Sequence, residues 1–303
     1  MTSAHQHSGS LRELAARFRA DTLRIHAQAP ETRVASSLSA VEIYTCLFYG
    51  GLLRHNPANP RDPARDRLIV SKGHGSISLY PILADRGFFS PEELARVCRP
   101  GTFLGGIPDP IIPGYETVNG SLGHGPGVGT GMAIALQRQG SDRRVVVVVG
   151  DGELHEGAVW EALLFAAQQK LNNLILIVDD NGRCMMDYTS HVVDLAPLPD
   201  KLRAFGWSVE EVNGHDVDAL CATLRRSMEC SFPGPRAVIT HTIKGKGAPA
   251  LEDDPLCHVR TLTPGEVEEL TGGAPCALPN AACVTRFFRS SRTGWARNPI
   301  FSF

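Results

Sequence analysis

Five consecutive valines, Val145 to Val149, stop at Gly150-Asp151-Gly152. A β-branched run with no polar alternation fits a parallel strand buried on both faces, and no surface strand could carry it. Residues 157 to 170 have helical composition, with Trp160, Leu163, Leu164, Ala167 and Leu171 expected on one face. A second apolar run, Leu174 to Val178, closes on Asp179-Asp180 and is followed at once by Asn181-Gly182. This is a strand–helix–strand unit, the building block of a parallel sheet with right-handed crossovers.

The alternation continues with a helix near 200–205, a strand over 207–212, a helix over 216–230 and a strand over 236–242. Upstream, helices are expected over 11–29 and after Ser39, and a short strand over 66–71. Pro57, Pro60 and Pro63 make 54–66 a loop. The fold class is α/β, a mostly parallel sheet flanked by helices. Residues 1–270 form one domain in this reading. Residues 271–303 form an irregular tail whose Phe287, Phe288, Trp295, Phe301 and Phe303 suit docking on a partner.

Composition narrows the partners. Thirty basic and 32 acidic residues leave a net charge of −2, which gives no reason to expect nucleic acid or an anionic membrane. No stretch reaches the roughly 18–20 apolar residues of a membrane span, and the N-terminus lacks a signal pattern, so a cytoplasmic protein is expected. Eight scattered cysteines show no C-x-x-C pair and no zinc spacing, and they are assigned no chemistry. Only five basic residues are lysines: Lys72, Lys170, Lys201, Lys244 and Lys246.

Ligands of an open parallel sheet bind beyond the carboxyl ends of its strands. Two such ends carry Asp151 and Asn181, with 28 residues between Gly152 and Asn181. A carboxylate and an amide oxygen side by side suit a hard cation such as Mg²⁺. Gly152, at a helix mouth, lets backbone N–H groups approach phosphate oxygens. Taken singly, Gly-Asp-Gly and Asn-Gly are also ordinary turns. No lysine completes a P-loop, and Gly123 to Gly131 does not form G-x-G-x-x-G after an apolar strand, so a nicotinamide dinucleotide site is not expected.

The block from Gly150 to Gly182 resembles the diphosphate-binding signature of thiamine diphosphate enzymes. SSLSAVEIY, DRLIVSKGHGSISLY, GSLGHGPGVGTGMAIAL, Asn213-Gly-His-Asp216 and THTIKGKG resemble transketolase motifs in the family's order. The resemblance spans about residues 10 to 270. It implies thiamine diphosphate with Mg²⁺ (or Ca²⁺ or Mn²⁺), held by the side chains of Asp151 and Asn181 and the carbonyl of Arg183. By the same resemblance His74, Gly120, Leu122, Gly152, Lys244 and His258 contact the cofactor, and His74, Glu156 and His258 form the catalytic set. His74 could instead make only a structural hydrogen bond, Lys244 could be a surface lysine in a glycine loop, and Glu156 could be a helix N-terminal acid.

The family's pyrimidine-binding and third domains have no counterpart here. The resemblance therefore implies the N-terminal subunit of a two-chain enzyme, a heterotetramer of two copies of each chain, with the aminopyrimidine glutamate on the partner. Two departures touch the substrate end. Arg33 stands where the family places a sugar-facing histidine, and Ile107 replaces a second one; His124, in Gly123-His124-Gly125, offers partial compensation. Isoleucine cannot bond a hydroxyl, and arginine prefers carboxylate or phosphate. The expected activity is transfer of a two-carbon unit from a small-molecule donor to an acceptor, with a non-standard donor or acceptor. Decarboxylating transfer from a 2-oxo acid such as pyruvate, and a non-catalytic scaffold, stay open as alternatives.

Overall fold

The computed structural model describes residues 10–118 and 120–272. The chain opens with α1 (Leu11–Gln28), α2 (Val34–Leu38) and α3 (Val41–Tyr49), then β1 (Arg67–Val70) and α4 (Leu79–Asp85). A glycine-rich α5 (His124–Arg138) leads into β2 (Val145–Gly150), α6 (Gly157–Gln168) and β3 (Leu174–Asp180). Next come α7 (Thr189–Val192), α8 (Leu198–Ala204), β4 (Ser208–Asn213), α9 (Val217–Glu229) and β5 (Arg236–His241). Two short helices, α10 (Pro249–Glu252) and α11 (Pro264–Thr271), complete the described chain. The proposed docking tail lies almost wholly outside the described residues.

The strands form one parallel sheet in the order β1-β2-β3-β5-β4. Successive side chains of a strand point to opposite faces, and the valine run divides accordingly. Val146 and Val148 join Ile175 and Ile177 in a core with α1, α3, α4 and α9. Val145, Val147 and Val149 join Leu174, Leu176 and Val178 in a second core under α5, α6 and α8. All five valines are buried, each contributing roughly 1.5–3 kcal/mol. A third cluster packs α10, α11 and Leu262 against α1 and α2 through Leu23, Leu38, Leu251 and Val267. The chain after β5 is thereby folded back over the N-terminal helices.

Two local expectations need correction. Leu164 is not on the buried face of α6: it is exposed, as is Phe165, and the buried positions are Val159, Leu163 and Ala166. The buried stripe thus runs one position earlier than expected, over Val159, Leu163 and Ala166. The glycine run over 123–131, left without an element by its sequence, begins α5. A Cβ at Gly129 would stand 2.5 Å from Val147 Cγ2, and one at Gly125 would stand 2.3 Å from Ser71 Oγ. Helix α5 can lie on the sheet only because those two positions have no side chain.

Candidate active site

β2 and β3 pair from Val145↔Leu174 to Gly150↔Asp179, so Asp151 and Asn181 emerge at the same end of neighbouring strands. A cavity of about 440 Å³ opens there. It is lined by Asp151, Gly152, Asn181 and Arg183 from the strand ends, and by His74, Gly120, Leu122, Lys244 and His258 from four other segments. Those nine residues are the whole set singled out for cofactor and metal. The remaining candidates lie outside the lining. Arg33 is the N-cap of α2, close enough for its charge to act on both His74 and His258. Ile107 is half-exposed, its Cγ2 4.0 Å from the place of a Cβ on Gly120. His124 is exposed at the start of α5. Glu156 is the exposed N-cap of α6, but its carboxylate makes no capping hydrogen bond; its Cβ and Cγ stem lies against Gly123, whose φ is +83°.

The carboxylate at the cavity floor is incompletely satisfied. Asp151 Oδ1 accepts from the Gly152 N–H at 2.8 Å, while Oδ2 is buried with no partner. Burial, with Asp179 and Asp180 adding repulsion, pushes its carboxyl up to about 7. An orphaned buried carboxylate oxygen calls for a cation. The other oxygen donors at hand are the Asn181 amide, whose Oδ1 accepts from the Arg183 N–H at 3.2 Å, and the Arg183 carbonyl. Among the described residues no group of three His, Cys, Asp or Glu side chains could hold a metal. The Asp151 carboxylate, the Asn181 amide and the Arg183 carbonyl offer only oxygens, the donors that Mg²⁺ or Ca²⁺ prefers and that zinc sites use less. The residues present fit the group.

The rest of the wall supplies positive charge and neutral donors. Lys244 is buried, and its ammonium donates to the carbonyls of Arg183 at 3.1 Å and Cys184 at 2.9 Å. His74, on a tight turn over Gly73–Gly75, lies 5.0 Å from the His258 ring, centroid to centroid. Burial, seconded by the Lys72 charge, holds the His74 imidazole down to about 3; burial and Lys244 hold His258 down to about 4. Both rings are neutral at physiological pH. Each can thus donate one N–H and accept at the other nitrogen.

Sequence reasoning missed eight residues of this wall, and three of them, Lys72, Ser36 and Glu153, bring a charge or a hydroxyl. Lys72 is fully buried and ion-pairs with Asp179 beneath the cavity, also donating to the Ser36 carbonyl at 2.8 Å. Ser36 lines the cavity, its Oγ 3.4 Å from His258 Nδ1. Glu153, also buried, accepts from Gly123 N at 2.8 Å, from Gly150 N at 3.3 Å and from the Ser71 hydroxyl. It ties together three loops that carry His74, Leu122 and Asp151. The scarcity of lysine marked Lys72 for attention, but nothing in the sequence paired it with Asp179.

A parallel sheet with an oxygen-lined, partly cationic cavity at its strand ends suits a phosphate-bearing ligand. Comparison with known proteins makes the class specific: residues 12–273 match the transketolase thiamine diphosphate binding domain, and the chain belongs to the transketolase family. It is 38% identical over 231 residues to the 6-deoxy-6-sulfo-D-fructose transketolase subunit of a Clostridium species, spanning 76% of this chain and 83% of that one. It is 36% identical over 242 residues to an apulose-4-phosphate transketolase subunit from Phocaeicola vulgatus, spanning 80% and 85%. Against human transketolase it is 34% identical but spans only 41% of that protein. Among solved structures, Campylobacter jejuni transketolase superposes with a TM-score of 0.78 at 28% identity, covering 86% of this chain and 42% of that one. The likeness is thus to transketolase subunits over most of their length, and to the single-chain enzymes over less than half of theirs.

Proposed function

We propose that the chain is the thiamine diphosphate-binding N-terminal subunit of a two-chain transketolase that moves a two-carbon unit between small-molecule sugars. The observation carrying this reading is the convergence of nine motif residues on one cavity whose floor holds the partnerless Asp151 Oδ2. Asp151, Asn181 and the Arg183 carbonyl would hold Mg²⁺ (or Ca²⁺ or Mn²⁺), and Gly152 N–H and Lys244 would face the diphosphate. Thiamine diphosphate supplies a nucleophilic carbon and an electron sink for the transferred unit. His74 and His258, kept neutral, would donate to diphosphate or substrate oxygens and hold a proton without adding charge. Gly120 and Leu122 would cover the cofactor's rings, and Met185, Met186 and Val192, apolar and exposed in the same lining, would exclude water once the cofactor is bound.

The relatives named as subunits support a partner chain. That partner would carry the pyrimidine-binding and third domains, in a heterotetramer of two copies of each chain. Exposed Glu156, against Gly123 and outside the cavity, would face that partner. Six described cysteines are unpaired, in keeping with a reducing cytoplasm; no described helix is long and apolar enough to cross a membrane. Arg33, Ile107 and His124 would set donor and acceptor choice. Two of the relatives are named for a sulfo-sugar and a sugar phosphate, and Arg33 suits a substrate with such an anionic group.

The test is calorimetric. Thiamine diphosphate should bind only with divalent metal, and Asp151→Ala or Asn181→Ala should abolish that binding. Turnover should need a partner chain bearing the pyrimidine domain. Wild-type cofactor affinity in either variant would remove the metal from this position, and carboligation by the purified chain alone would refute the two-chain reading.

A further inference from the structure

The segment Asn213-Gly214-His215-Asp216 matches a family motif but has no place in the cavity wall. The structure gives each of its residues work. Asn213 Oδ1 accepts from the His215 N–H at 3.0 Å, closing the turn, and Asp216 caps α9 by accepting from Ala219 N at 3.1 Å. A Cβ on Gly214 would stand 2.4 Å from Thr242 Cγ2, so glycine lets the turn press against the end of β5. His215 then reaches under the loop that carries Lys244.

His215 Nε2 accepts the Ile243 N–H at 2.8 Å, and Nδ1 lies 3.2 Å from Glu42 Oε2. A backbone N–H can only donate, so the proton sits on Nδ1 and points at Glu42. Glu42 is paired on its other side with Arg19, whose guanidinium donates to the carbonyls of Leu38 and Lys246, both at 2.7 Å. Arg19 also fills the space a Cβ on Gly247 would need. Burial works against the charge on Glu42, but hydrogen bonds and charge from His215 and Arg19 outweigh it and hold the carboxyl below its ordinary range. The same partly buried network therefore grips the backbone one residue before Lys244 and two residues after it.

We infer that His215, oriented by Glu42 and Arg19, is a positioning residue that fixes the Ile243–Gly247 loop so that the Lys244 ammonium stands at the diphosphate end of the cavity. The inference rests on the proposed contact between Lys244 and thiamine diphosphate. His215 is not part of the cavity lining and acts through the loop.

Two polar substitutions and one cycle test it, read by thiamine diphosphate calorimetry at saturating Mg²⁺ on variants whose melting shows them folded. His215→Asn leaves no acceptor where Nε2 stood; it should weaken binding about tenfold, the worth of one well-made hydrogen bond. His215→Gln restores an acceptor near that place and should stay within about threefold of wild type. In a Lys244→Met background, His215→Asn should cost nothing further, because a residue acting through Lys244 has nothing left to position. Equal affinities for the Asn and Gln variants would overturn the inference, as would a full additional loss in the Lys244→Met background. Wild-type binding by Lys244→Met alone would instead remove the cofactor contact on which the inference stands.

Discussion

Replacing Lys72 by methionine isolates the charge balance beneath the site. Methionine nearly matches the lysine stem in volume, so the surrounding packing is kept and the change is electrostatic. Lys72 is 2% exposed and Asp179 fully buried, and the two form a direct ion pair. In the variant Asp179 keeps hydrogen bonds from Ser39 Oγ at 2.7 Å and from the Thr242 hydroxyl, but no positive charge. Removing one partner of a buried pair costs about 3–5 kcal/mol, a large share of the ~5–15 kcal/mol of a folded domain. Asn at position 179 removes the stranded charge while keeping an acceptor. The double variant Lys72→Met with Asp179→Asn should therefore regain most of the loss.

The pH dependence carries a second signature. Burial opposes ionisation of Asp179, yet Lys72 and hydrogen bonds from Lys72, Thr242 and Ser39 hold its carboxyl below the ordinary value of 3.8. A depressed folded value means stability that is present above the unfolded value and lost as pH falls through the folded one. Without Lys72, burial acts unopposed and the carboxyl rises, so the variant can relieve its penalty by taking a proton. The gap between wild type and Lys72→Met should be widest near pH 8 and narrow towards pH 4. Guanidinium unfolding followed by tryptophan fluorescence at several pH values measures both effects. A deficit under about 1 kcal/mol, or no rescue by Asp179→Asn, would show that the pair is not the charge balance argued from its burial.

His26 is buried, accepts the Leu262 N–H at 3.0 Å and faces Thr32 Oγ1 at 2.9 Å; burial depresses it from 6.5 to about 4. Its contribution is complete above pH 6.5 and should fade by about 3 kcal/mol as pH falls towards 4, a slope that His26→Gln should remove in acid unfolding curves. Arg33→His with Ile107→His should shift the reconstituted enzyme's choice between a ketose phosphate and a 2-oxo acid by about ten- to a hundredfold, the worth of one charge-assisted bond, at unchanged cofactor affinity. An unchanged donor ratio in direct competition would place selection on the partner chain.

Residues whose role follows from local chemistry were legible before the fold was known. The valine run could only be a two-faced buried strand, and its stop at Gly150 placed Asp151 at a strand end. The contrast between β5, buried from Arg236 to Thr240, and β4, with Glu210 and Glu211 in its middle, also marks an interior strand and an edge strand. Helix α5 was not legible, because each interior glycine argues against helix by ~1 kcal/mol. What overrides propensity there is contact with Ser71, just past β1, and with Val147 of β2.

The same division runs through the site. Its cofactor end is built from backbone turns and strand ends, so motif spacing alone brings nine residues to one cavity. The charges that make this end work are settled by pairings no spacing records: Lys72 with Asp179 across 107 residues, and Glu42 with His215 across 173. Lys72 balances the neighbouring Asp179 and leaves Asp151 Oδ2 without a partner, so that oxygen is the one the proposed cation would satisfy. Were Lys72 to pair with Asp151 instead, the cavity would hold the same residues and the proposed cation would lose its free carboxylate oxygen. Charge placement beneath the cavity, more than the motifs lining it, decides what the cavity can bind.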